Sequence, residues 1–104
     1  MNRIADLDAV FKVVELDRLV HEPARHLLLA HLSVVEEADF TYLLNATGLS
    51  SGNISSHMAK LEEAGYVAVR KGFSGKRPLT TFSLTKKGRG AFDNYRRNMR
   101  QIVN

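Results

Sequence analysis

At Gly65 the hydrophobic period of this chain changes, and that change restricts its fold more than any other feature. Before it, Ile54, Met58 and Leu61 recur at i, i+4 and i+7, the spacing of one helix face. After it, Val67 and Val69 lie on one side of a strand, and Phe82 and Leu84 on one side of a second. Gly65 is the expected C-terminal stop of the helix and Ser50 its expected N-cap. The stretch Arg70-Lys71-Gly72-Phe73-Ser74-Gly75-Lys76-Arg77-Pro78 between the strands reads as a long basic loop at the tip of a hairpin.

The remaining elements are helical. Ile4, Leu7, Phe11 and Val14, widened by Val10, Val13 and Leu16, predict an amphipathic helix ending near Leu19. Pro23 suits the first position of the next helix, where its missing N–H goes unused. That helix carries Ala24, Leu27, Leu28, Ala30, Leu32 and Val35 and is apolar nearly all round, so it is expected to be the buried centre. Glu36-Glu37-Ala38-Asp39 breaks the run, Thr41 is expected to cap a short third helix, and that helix ends before Gly48. Thr85 is expected to cap a last helix with Phe92, Tyr95, Met99 and Ile102 on one stripe.

The expected order is four helices, two strands and a helix, in one domain spanning 1–104. It is mainly α with a small β-hairpin. A helix-turn-helix at about 41–64 followed by a basic hairpin at about 66–84 is the winged helix-turn-helix arrangement. Its second helix, Ser51 to Ala64, is the one that enters a major groove. With Ile54, Met58 and Leu61 turned to the core, Ser51, Gly52, Asn53, Ser55, Ser56, His57 and Lys60 face outward or flank the seam, and no acid lies between Ser50 and Leu61. Asn53 can pair bidentately with adenine, Ser55 and Ser56 can contact bases or phosphates, and Lys60 suits phosphate. Gly52 permits close approach of the backbone to the helix N-terminus, where the macrodipole favours an anion. On the hairpin, Arg77 beside Pro78 is placed for a minor groove, with Lys71 and Lys76 as flanking phosphate contacts.

Charge placement points the same way. The net charge is +4, and Lys60, Arg70, Lys71, Lys76, Arg77, Lys86, Lys87 and Arg89 all fall in the second half. Acids concentrate earlier, from Asp6 to Asp39, an asymmetry associated with polyanionic partners. With 44% apolar and 25% charged residues the composition is that of a folding chain. The chain has no cysteine, so disulfides and thiolate metal sites are excluded. His21, His26 and His31 recur in steps of five, which turn a helix by about 140° each, so they share no face and no metal site is expected. No cofactor and no catalytic set is expected either. The acidic start and the lack of a long apolar run predict a cytoplasmic protein with no membrane partner.

The segment Leu49-Ser50-Ser51-Gly52-Asn53-Ile54-Ser55-Ser56-His57-Met58 with Lys60-Leu61-Glu62-Glu63-Ala64-Gly65-Tyr66-Val67 resembles the helix-turn-helix of prokaryotic ArsR- and MarR-type regulators, with Met58 where those usually carry Leu. Leu19-Val20-His21-Glu22-Pro23-Ala24-Arg25 is similar to the opening of their compact winged-helix members. Pro78-x-Thr80-x-Phe82-x-Leu84-Thr85-x-x-Gly88 is similar to their second wing strand and following helix. The resemblance implies a homodimeric regulator of transcription that binds double-stranded DNA, with a small-molecule effector as an open expectation. It departs in one respect, because metal-sensing members use cysteines that this chain lacks. The stripes Ile4, Leu7, Phe11, Val14 and Phe92, Tyr95, Met99, Ile102, on helices at about 3–20 and 86–103, predict a helical dimer interface, packing of the two helices on each other within one chain, or both. The rival expectation is a winged helix used for protein contact in a transcription-related assembly.

Overall fold

The computed structural model describes residues 17–103 of the chain, with side chains to residue 101. The stripe Ile4, Leu7, Phe11 and Val14 and the side chain of Ile102 therefore lie outside the described residues. The elements run α1 (Arg18–His21), α2 (Pro23–Val34), β1 (Ala38–Asp39), α3 (Phe40–Thr47), α4 (Ser51–Glu63), β2 (Val67–Ser74), β3 (Arg77–Leu84) and α5 (Lys86–Val103).

Local chemistry sets most boundaries. Helix α2 begins at Pro23 as expected, and Glu22 is its cap: its carboxylate accepts from the Ala24 and Arg25 amides at 2.9 and 3.0 Å. Helix α3 starts earlier than Thr41, because Asp39 is the capping residue and its Oδ1 accepts from Tyr42 N at 2.8 Å. An aspartate in extended backbone reaches the third amide of the helix, which leaves Thr41 inside the first turn. Gly48 closes α3 in the left-handed region at φ 73°, where its N–H bonds Leu44 O. Ser50 caps α4 through Asn53 N at 3.1 Å, and Gly65 follows the helix at φ 81°. Thr85 caps α5, accepting from Gly88 N at 2.9 Å.

The sheet is antiparallel in the order β1-β3-β2. Val67 pairs with Leu84 and Val69 with Phe82, so the residues expected to share an inner face do so. Two features differ from expectation. The short strand β1, read from sequence only as a break, pairs Ala38 with Phe82 and Asp39 with Thr81. The stretch expected to be a long loop is paired to Ser74↔Arg77, leaving Gly75-Lys76 as a two-residue turn. Gly75 has φ 63° and Lys76 does not have positive φ, the φ pattern of a type II′ turn whose twist matches the strands. Backbone pairing thus continues through a segment whose glycines and charges suggested irregular chain.

The core joins Val20, Leu28, Leu29, Leu32, Leu43, Ile54, Met58, Leu61, Val67, Phe82, Phe92 and Tyr95. Helix α2 crosses its centre, but not on all sides: Leu27 and Val34 are exposed. Among the described residues, four other helices and a small sheet do not enclose a whole helix, so the buried centre of the domain keeps one side open. Phe92 and Tyr95, expected at a dimer interface, sit in the chain's own core at 2% and 6% exposure. Each buried side chain of this size contributes about 1.5 to 3 kcal/mol, so the α5 stripe is spent first on its own domain. Met99 packs partly against the same cluster.

The start of α5 is stitched to the end of α4. Thr85 Oγ1 donates to Gly65 O, Thr85 N to Tyr66 O at 3.1 Å, and Lys87 Nζ to Ala64 O at 2.9 Å. These bonds fix where the hairpin leaves the domain relative to α4.

Candidate nucleic-acid interface

Helices α3 and α4 are joined by the three residues Gly48, Leu49 and Ser50. The turn is held from inside: Thr47 Oγ1 donates to Leu43 O at 2.6 Å and accepts from Leu49 N at 3.2 Å. Ile54, Met58 and Leu61 are buried. They hold α4 from behind. Ser51, Gly52, Asn53, Ser55, Ser56 and Lys60 are all exposed. Among the described residues a Cβ built at Gly52 meets nothing within 4 Å, so the missing side chain there leaves open space at the helix N-terminus. Unpaired amide dipoles at that end favour an anion, and the acids of α4, Glu62 and Glu63, lie at the opposite end.

His57 is placed differently. It is half-buried, with Nδ1 3.3 Å from Arg25 Nη1 and 3.4 Å from Glu22 Oε2. Arg25 in turn donates from Nε to Leu19 O at 2.8 Å. The imidazole therefore braces α4 against the α1–α2 junction, on the seam flank of the group expected to face outward or flank the seam. Helical spacing along α4 does not reveal this, because only packing of α2 beside α4 brings Glu22 within reach.

Electrostatics follow from that junction. Burial pushes the Glu22 carboxyl up, but the Ala24 and Arg25 amides, with the charges of His57 and Arg25, outweigh it and leave it below its usual range. Burial holds His26 below the ordinary imidazole range, aided by Arg96 and His21 and opposed by the Val20 backbone. Its ring packs 5.2 Å from Phe92 and 5.5 Å from Tyr95.

On the hairpin, Lys71, Lys76 and Arg77 are exposed. Among the described residues none of the three has a carboxylate partner, whereas Arg70 is held by Glu37 at 2.6 Å. Arg77 borders a surface concavity of about 390 Å³ that Asp39, Phe40, Thr41 and Thr80 also line, between the hairpin and the start of α3. A second concavity of about 390 Å³ lies between α5 and the α1–α2 junction, lined by His21, His26, Tyr95, Arg96, Met99 and Arg100. There His21 Nδ1 and the Tyr95 hydroxyl are 2.5 Å apart. Sequence reasoning missed Glu22 and Arg25 as partners of the second helix of the motif. Glu22 was legible in part, since the residue before a Pro at the first helical position is the cap.

Comparison with known proteins places this geometry. Residues 24–103 match the family model described as winged helix DNA-binding domain. An uncharacterized protein of Methanocaldococcus jannaschii is 37% identical over 78 residues, 75% of this chain and 85% of that protein. The fold is similar to that of a transcriptional regulator homologue from Pyrococcus horikoshii OT3, with TM-score 0.86 and 21% identity over 92% of this chain and 94% of the other. It is also similar to the transcriptional repressor BigR of Xylella fastidiosa, with TM-score 0.64 and 22% identity over 92% and 91% of the two chains.

Proposed function

This chain belongs to the winged helix DNA-binding domain family, and from that premise we propose that it is a sequence-specific transcriptional regulator that binds double-stranded DNA as a homodimer. In this reading α4 lies in the major groove and the hairpin is the wing, set on the minor groove. The observation that carries it is the exposed, acid-free face of Ser51, Gly52, Asn53, Ser55, Ser56 and Lys60, held from behind by the buried Ile54, Met58 and Leu61. Asn53 reads a base, Ser55 and Ser56 contact bases or phosphates, and Lys60 takes a phosphate. Lys71, Lys76 and Arg77 add the sequence-independent attraction to the duplex. The regulatory role is supported by the similarity in fold to proteins described as a transcriptional regulator homologue and a transcriptional repressor.

The homodimer uses the stripe Ile4, Leu7, Phe11 and Val14 with Met99 and Ile102, since Phe92 and Tyr95 are already enclosed. Two α4 helices about 34 to 36 Å apart then select a pseudo-palindromic site. Cytoplasmic residence belongs to the same reading; among the described residues no helix is long and apolar enough to cross a membrane. The test is fluorescence anisotropy of labelled duplex DNA across a salt series, followed by sequencing of genomic fragments the protein retains. Binding that weakens steeply with salt and an enriched pseudo-palindrome are expected; absence of duplex binding at low salt overturns the reading. Sedimentation at micromolar concentration is expected to give a dimer.

A second reading, a winged helix used for protein contact, has Leu27, Val34 and Tyr42 in its favour, three exposed apolar side chains on α2 and α3. Protein capture through that face with no DNA affinity would be its signature.

A further inference from the structure

We propose that Phe73 is an apolar wedge of the wing, which seats its ring in the minor groove of duplex DNA against sugars and a base step. The inference rests on the DNA-binding reading above and adds a contact of a different chemistry to it.

Phe73 is 73% exposed, although a phenylalanine ring is ordinarily buried. Register explains where it points. Val67, Val69, Lys71 and Phe73 share one face of β2, paired with Leu84, Phe82, Thr80 and Pro78 of β3. That is the face that covers the core near the domain, and it runs on past the core's edge to end in the Phe73–Pro78 pair. Residues flanking a two-residue turn, here Ser74 and Arg77, are a hydrogen-bonded pair, so the next pair out is non-hydrogen-bonded and its side chains stand closer. Pro78 therefore loses no bond to β2 by lacking an N–H. On its other side β1 pairs only with Phe82 and Thr81, so among the described residues no strand lies there to want one. The result is a small, stiff apolar tip on one face of the wing, with Arg77 on the opposite face.

Charge identifies the occupant. From Ala64 to Phe92 the chain contains no acidic residue, while Lys71 on the face of Phe73, Lys76 in the turn and Arg77 on the opposite face have no carboxylate partners among the described residues. A protein surface meeting this tip needs acids for three cations and an apolar socket besides. A minor groove supplies both, with phosphates along its rims and, between them, apolar sugar walls and base steps that side chains such as Phe can part.

The chain has no tryptophan, so Phe73→Trp introduces a single indole at the position in question. The variant is titrated with duplexes of random sequence about 30 base pairs long, near three helical turns, while anisotropy of a label on the DNA reports binding independently. Expected on binding are quenching of the indole emission and protection from acrylamide. Emission and accessibility that stay unchanged while anisotropy shows the complex overturn the wedge but leave the DNA-binding reading standing. No anisotropy change with either the unaltered chain or the variant overturns both. In parallel, Phe73→Ala is expected to weaken binding about tenfold, as losing one aromatic contact does, with the salt dependence unchanged because no phosphate contact is lost. An affinity equal to that of the unaltered chain, in a variant whose thermal melt matches it, also overturns the proposal.

Discussion

Gly88 lies against the carbonyl of Tyr66 so closely that a Cβ at position 88 would stand 2.0 Å from Tyr66 O and 2.7 Å from its carbonyl carbon. Tyr66 is the residue before β2, and its carbonyl also accepts from Thr85 N. The absent side chain at position 88 thus sets the spacing between the first turn of α5 and the base of the wing.

Gly88→Ala is expected to destabilise the fold by about 1 to 3 kcal/mol, since the obstructing atoms are backbone and cannot rotate away. A Cβ at Gly90, two residues on in the same helix, meets nothing within 4 Å among the described residues. Gly90→Ala is expected to stabilise by about 1 kcal/mol through helix propensity alone. Opposite shifts of the urea midpoint in the two variants check the assignment; equal shifts refute it.

Glu22 caps α2 and faces His57. Glu22→Ala is expected to cost about 1 kcal/mol at neutral pH, the usual worth of a cap. Because the folded carboxyl titrates below its ordinary value of 4.5, its stabilisation is present above that pH and is lost as pH falls through the folded pKa. The stability difference between Glu22→Ala and the unaltered chain is therefore expected to shrink below pH 4.5 and not above it. Denaturant titrations at several pH values measure it.

His26 gives a different window. Its folded pKa is held below the ordinary value of 6.5 chiefly by burial. The unfolded chain takes up the proton first, so stability is expected to fall as pH drops from 6.5 toward the folded pKa. In His26→Leu that part of the slope is expected to vanish. A slope between pH 6.5 and 5 identical in the two proteins would contradict the placement of His26 between Phe92 and Tyr95.

Arg77→Ala and Lys60→Ala are each expected to lower the slope of log affinity against log salt by about one, with little change in sequence preference. Asn53→Ala is expected to leave the salt slope intact and relax one base position by about 1 to 3 kcal/mol. His57→Ala, which removes a brace and not an outward group, is expected to lower the melting temperature more than it alters the salt slope. Anisotropy on matched and single-mismatch duplexes separates these outcomes.

Much of this molecule was legible in local sequence because its boundaries are local events. Ser50, Thr85, Gly48 and Gly65 satisfy or end backbone bonding within a turn of where they stand, so residue type alone marks them. The inner face of α4 was equally legible, as Ile54, Met58 and Leu61 can share a face only in a helix. The candidate interface could be named by subtraction from that face.

Only the tertiary structure decided which candidates remain outward and which are enclosed. His57, expected to face outward or flank the seam, stands on the seam because packing of α2 beside α4 brings Glu22 and Arg25 to it across more than thirty positions of chain. Phe92 and Tyr95 are enclosed in the chain's own core, one of the two placements open to them, because a helical stripe shows that a face is covered, not by what. The basic stretch from Arg70 to Pro78 became two paired strands because β-pairing is stabilised between strands and leaves little trace within either one. The change of period at Gly65 fixed the kind of fold; long-range contacts fixed which side chains it leaves free to act.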